Sequence, residues 1–392
     1  MKKPAILGGS PAFDQLLPIN QPTLPKVDDL TAELTDIFNS GMLTNARYVK
    51  RFENECADYL EVKNAVAVSC CTSGLLLSLK LLGLKGEVIV PSFTFPATVH
   101  ALLWNNLKPV FVDCDPETFN IDPHEVEKKI TPQTCAIMLV YIFGNPPQLD
   151  RLTSIAAKHH LKMISDAAHA LGVKYHGKFA GNFADAEVFS LAPTKLVVAG
   201  EGGIVATNND QLAADLKIAR DYGNPGNYNT RFIGLNARMS EMHALLAGKC
   251  LTKLEESINT RYKLVDLYKS RLQKLPGISF QKIEANARTS YNYFSVLVDE
   301  EIFGLNNDQL SAALKPENIM TRKYFYPPVH EQDAYKDYYQ QYQDQLPATA
   351  WVCKRICCLP LFTHLPEEKV IKVCEAIERI YENRVQVKGQ IG

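Results

Sequence analysis

Between about residue 64 and residue 207 the hydrophobic positions follow two alternating rhythms. Short β-branched runs, "NAVAVS", "EVIVPS", "KPVFVD", "CAIMLVYI", "LKMISD", "AEVFSLA" and "GGIVAT", read as strands. Helical stretches separate most of them. "TSGLLLSLKLLG" begins at a threonine and ends at a glycine, "PATVHALLWNN" carries Pro96 near its first turn, and "PHEVEKKI" and "LDRLTSIAAKHH" follow. Helices alternating with such runs predict an α/β layered fold around a largely parallel sheet, with ligands expected at the C-terminal ends of its strands.

Further along, Ala237 to Leu272 contains one breaker, Gly248, and reads as a single long helix or two joined ones. It leads into an α+β segment with the strand "YNYFSVLVD" and the helices "NDQLSAALK" and "PEEKVIKVCEAIERIYENR". Pro11, Pro18, Pro22 and Pro25 punctuate the N-terminus, which is expected to form an arm packed over another surface. The expected organisation is an arm over 1–40, a large domain over 41–250 and a smaller one over 251–392.

Composition narrows the function. A formal charge of −1 on 392 residues gives no electrostatic footprint for nucleic acid or an anionic membrane. "MKKPAILGGSPAFDQ" lacks an apolar stretch of signal-peptide length, and no window approaches the roughly 18 apolar residues of a membrane span, so a cytoplasmic protein is expected. The 10 cysteines are scattered, several inside apolar runs, as buried thiols in a reducing compartment are. Cys353, Cys357 and Cys358 lack a fourth ligand at zinc spacing and read as small apolar residues on a helix, so no metal is expected.

The candidate chemistry centres on "SLAPTKLVVAGEGG", where Lys195 follows an apolar run and precedes a glycine-rich turn. Burial lowers an amine's pKa and makes it a nucleophile. Asp166 ends another apolar run, followed by "AAHALG". Taken alone it reads as a helix cap. Taken with Lys195 it suggests a shared crevice, where a carboxylate holds a ring nitrogen protonated and an amine condenses with an aldehyde. Thr72, Ser73 and Gly74 open a helix directly after a strand, an arrangement that offers N–H groups to a phosphate or is simply an ordinary cap. Ser190 can add a hydroxyl, and Phe95 is placed to cover a flat ring or to pack in the core.

Together "GMLTNARYVKRFE", "GEVIVPSFTFPATVHALLWNNLKPVFVD", "DAAHALG", "SLAPTKLVVAGEGG", "GLNARMSEMHA" and "RKYFYPPVH" resemble, in type and order, the sugar aminotransferases of the DegT/DnrJ/EryC1/StrS family. These are fold-type-I pyridoxal 5'-phosphate (PLP) enzymes with a large α/β/α domain and a smaller α+β C-terminal domain. The resemblance implies that Lys195 is the Schiff-base lysine and proton shuttle. It puts Asp166 on the pyridine nitrogen and His169 near the phenolic oxygen. Thr72, Ser73 and Ser190 would hold the phosphate, and Phe95 would stack on the ring. It also implies a homodimer with shared active sites, in which Asn236, with Arg238 beside it, reaches the partner's cofactor. Ala192 and Tyr141 stand where family members often carry histidines.

The activity implied is amination of a nucleotide-linked ketosugar with L-glutamate as donor, most similar to enzymes acting at C4 of dTDP-4-keto-6-deoxyglucose. In "TRKYFYPPVHEQDAY", Arg322 suits a diphosphate, while Tyr326 and His330 offer groups to sugar hydroxyls; Tyr324 and Phe325 read as anchors between domains. Amination at C3 or of a cyclitol ketone is the alternative within the same chemistry. A sugar dehydratase on the same fold would replace the lysine with histidine, which Lys195 opposes. A dinucleotide oxidoreductase would need a GxGxxG opening a helix, and "GEGG" instead precedes a strand.

Overall fold

All seven runs listed first form strands of one sheet in the computed structural model, which describes residues 3–391. They are β1 (Asn64–Val68), β2 (Glu87–Pro91), β3 (Lys108–Val112), β4 (Thr134–Val140), β5 (Lys162–Asp166), β6 (Ala186–Ser190) and β7 (Gly203–Thr207). The order is β1-β7-β6-β5-β4-β2-β3, with β7 antiparallel to both neighbours and the other pairings parallel. The strands read as continuous apolar runs because both faces are covered. Ile89, Ile137 and Leu139 join one core with Leu152 and Ile155, while Val88, Val90 and Met138 join another with Leu75 and Leu102 on the opposite face. The result is a three-layered α/β/α body.

Two helices flank the site. The first, α1 (Cys71–Leu81), begins one residue before the threonine expected to open it. Cys70 is its cap, accepting from the Ser73 N–H, while the Ser73 hydroxyl accepts from the Cys70 N–H in return. The second, α2 (Pro96–Trp104), has proline in its first turn, where no intrahelical N–H is lost.

The stretch expected as one helix or two is two, α3 (Glu241–Leu251) and α4 (Leu254–Leu272). Gly248 is not the break. A Cβ there would lie 3.0 Å from the Glu55 carboxylate, so the glycine lets α3 approach the helix Arg47–Leu60 closely.

The smaller C-terminal part is an antiparallel three-stranded sheet, β8 (Ile278–Phe280), β9 (Phe294–Val298) and β10 (Ile356–Leu359), with β9 central. Cys357 and Cys358 lie on β10 and not on the expected helix; there they are buried between layers. No cluster of metal-ligating side chains occurs among the described residues. The N-terminal arm packs on this part: Leu17 is buried and pairs with Ile319, and the buried carboxylate of Glu317 accepts from the Ala5 and Ala12 N–H groups, both at 2.8 Å. Residues 329–346 return to the large sheet, where the Tyr342 hydroxyl accepts from the N–H of Phe111 on the edge strand β3.

Candidate active site

Parallel strands end on one side, and the ends of β1, β4, β5 and β6 enclose a cleft of about 340 Å³. The chain brings Thr72, Phe95, Asp166, His169, Ser190 and Lys195 together around it. Six residues expected to act together, drawn from four separate segments, therefore share one cavity.

Lys195 sits beyond β6 with its amine in the cleft. Among the described residues no carboxylate lies within salt-bridge distance of it. Burial lowers its pKa from 10.5 to about 8, partly offset by Cys71 and Asp166. A neutral, nucleophilic amine is therefore accessible near neutral pH.

Asp166, at the end of β5, is 5% exposed. Its Oδ2 accepts from the Thr98 hydroxyl at 2.7 Å and its Oδ1 from the Ala168 N–H at 3.2 Å. Burial raises its pKa, and those hydrogen bonds with the nearby Lys195 hold it down. The helix-cap reading does not describe it, because no helix starts at Asp166. Burial, with Lys195 adding to it, keeps the His169 imidazole neutral. Its ring lies parallel to Phe325 and edge-on to Tyr293.

At the other end of the cleft, Ser190 and Thr72 flank the N-terminus of α1. Cys70 and Cys71 pass so close to β7 that a Cβ on Gly203 would meet their backbone at 2.8 Å, which accounts for the last glycine of "GEGG". The Ser73 hydroxyl faces Cys70 and Ser69 and does not line the cleft. Phe95 is 58% exposed, so it is not a core residue; its ring stands at the cleft with one edge toward Phe325.

Other expected residues lie elsewhere. Asn236 is exposed outside the cleft and accepts from Arg238, which also pairs with Asp221 at 3.1 Å. Tyr326 is exposed beside Lys323 and does not line the cavity. His330 lies in the returning segment outside the cleft, 4% exposed, bonded to the Ser92 hydroxyl and packed against Phe111. Burial lowers its pKa to about 4. Tyr324 and Phe325, expected only as anchors, line the cleft with Tyr293 and Thr94. Ala192 also lines it, as does Tyr141, whose hydroxyl donates to the buried Glu187 at 2.8 Å. The spacing of Thr94 and Thr98, four apart around the start of α2, was the one sequence signal available for the missed residues.

The DegT/DnrJ/EryC1/StrS aminotransferase family matches residues 26–378. The chain belongs to this family. The aminotransferase is 32% identical over 366 residues to the dTDP-4-amino-4,6-dideoxy-D-glucose transaminase of Escherichia coli, covering 93% of this chain and 98% of that protein. It is 31% identical to GDP-perosamine synthase of Escherichia coli O157:H7, covering 94% of this chain and 99% of that one. Its fold is similar to that of DesI, solved in the presence of its TDP-sugar product, with a TM-score of 0.92, 35% identity and 98% of each chain covered. The protein is thus a PLP-dependent sugar aminotransferase.

The residues present fit that cofactor. An amine without a counter-ion, a buried carboxylate, an exposed aromatic face and a helix N-terminus flanked by two hydroxyls are what an aldehyde, a ring nitrogen, a flat ring and a phosphate require.

Proposed function

We propose that the aminotransferase converts dTDP-4-keto-6-deoxyglucose to the 4-amino sugar with L-glutamate as donor, working as a homodimer with shared active sites. The observation that carries the reaction type is the convergence of Lys195 and Asp166 on one cleft beside the exposed Phe95. The identity to the Escherichia coli transaminase supports the sugar.

PLP, when bound, supplies an aldehyde that condenses with amines and a ring that delocalises the electron pair left on the donor's α-carbon. Lys195 would hold the cofactor until the donor's amine displaces it, and its freed Nζ would then take the proton from the donor's α-carbon; a pKa of about 8 suits both taking and returning a proton. Asp166 would keep the ring nitrogen protonated, its carboxylate ionised by the cation it faces. Ser190, Thr72 and the α1 N-terminus would bind the phosphate, and Phe95 and His169 would confine the ring. Tyr324, Phe325 and Tyr293 line the cleft on the side of the C-terminal part.

For the dimer, the supporting observation is the segment Asp221–Arg238. It carries the exposed apolar side chains Tyr228 and Ile233, 95% and 80% exposed, next to Asn236. Incubation with glutamate and a panel of dTDP-, UDP- and GDP-linked ketosugars, read by product NMR, tests the substrate. Amination at C4 of the dTDP sugar is expected; preferential amination at C3, or of a GDP sugar, overturns that assignment.

A further inference from the structure

Behind Asp166 runs a chain of hydroxyls that the reaction described above does not use. Thr94 and Thr98 are both fully buried, and their Oγ1 atoms are 2.8 Å apart. Thr98 donates to Asp166 Oδ2 at 2.7 Å. A threonine hydroxyl has a single proton. Once Thr98 gives its proton to the carboxylate, it faces Thr94 as an acceptor, so Thr94 must donate. The direction is fixed: Thr94 to Thr98 to Asp166. Each bond in such a chain polarises the next, and one that ends on a charge is the stronger kind. The other oxygen, Oδ1, has only the longer contacts to the Ala168 N–H and to Cys71 Sγ, at 3.2 and 3.9 Å.

We infer that Thr98, aligned by Thr94, is a positioning residue that holds the Asp166 carboxylate ionised and in one orientation, so that the carboxylate can carry the N–H of the cofactor's ring. The inference rests on the proposed role of Asp166. The titratable groups facing that carboxylate are Lys195 from the turn after β6 and Cys71 from α1, and the neutral His169 lines the same cleft. Lys195 favours ionisation while it is a free ammonium, but a lysine that holds the cofactor no longer offers that charge. The hydroxyl chain supplies a donor that does not titrate. A purely structural role, tying the start of α2 to the preceding loop, would show in stability and not in the carboxylate's titration.

The test compares Thr98→Val, Thr98→Ser, Thr94→Val and the double valine variant. The Asp166 carboxyl is titrated by carbon-13 NMR in the cofactor-free chain, PLP affinity is measured by equilibrium dialysis, and the rate is profiled against pH. Thr98→Val should raise the Asp166 pKa by about one unit or more, weaken PLP binding about tenfold or more, and move the acid limb of the rate profile upward. Thr98→Ser, which keeps the hydroxyl, should restore all three. Thr94→Val should have a smaller effect that disappears in the Thr98→Val background, since the two act through one chain. Unchanged titration and affinity in Thr98→Val, or a Thr94→Val effect that adds fully to it, would overturn the inference. If Thr98→Val fails to fold, a Thr98→Ser chain with full PLP affinity and a Thr94→Val chain with a shifted Asp166 titration still support it, and their opposites refute it. The Asp166→Asn variant separates the two levels: if it binds PLP and turns over like wild type, the role of Asp166 itself is wrong.

Discussion

Lys195 imposes a stability cost on the cofactor-free protein, and the structure gives its size. Moving the ammonium's pKa from 10.5 to about 8 corresponds to about 3 kcal/mol, at ~1.4 kcal/mol per tenfold change in proton affinity. The side chain is only partly buried by area, and removing its charge also takes a stabilising neighbour from Asp166, so about 1–3 kcal/mol is the expected range. The sign follows from proton uptake. Between pH 8 and pH 10.5 the unfolded chain holds more protons at this lysine than the folded chain. The cost is therefore fully present below pH 8 and is relieved as pH rises toward 10.5. Lys195→Met, of similar length and uncharged, should make the cofactor-free protein more stable than wild type at pH 7, with the gap closing toward pH 10. Urea denaturation of both proteins at equal protomer concentration measures it. A Lys195→Met chain less stable than wild type at pH 7, or a gap that does not change with pH, would refute a desolvated ammonium in the cleft.

Phe95→Ala should change stability by less than about 0.5 kcal/mol, because the ring is mostly exposed, yet weaken PLP retention several-fold in dialysis. His330→Ala should lower stability by about 2–3 kcal/mol, through lost packing and the lost imidazole–Ser92 hydrogen bond, while leaving the KM for the ketosugar unchanged; thermal melts and steady-state kinetics check it. Wild-type stability should also fall as pH drops from 6.5 toward 4, since the unfolded chain protonates at His330 where the folded one resists. Asp166→Asn should leave the fold intact and cut transamination by orders of magnitude in a coupled glutamate assay.

The large sheet was legible in the chain because its strands are buried on both faces, and a run such as "CAIMLVY" has no other good use. The antiparallel course of β7 was not legible, since Gly203–Thr207 has the same apolar composition as its parallel neighbours. Lys195, Asp166 and Ser190 stood out because each interrupts the end of an apolar run with a polar group. Tyr293, Tyr324 and Phe325 did not. Whether an aromatic residue of the C-terminal part faces a cleft or a core depends on how that part docks, and no local pattern encodes docking. The burial of His330 was hidden for the same reason: the return of residues 329–346 onto the edge of β3 encloses a histidine that, read locally, looks exposed.

The central claim is that Lys195 holds the cofactor. Borohydride reduction of the purified holoenzyme fixes the cofactor covalently to the amine that carries it, and peptide mapping by mass spectrometry then identifies the lysine. The account predicts the added mass on the peptide containing Lys195 and on no other. The same mass on any other lysine, with Lys195 unmodified, would contradict it.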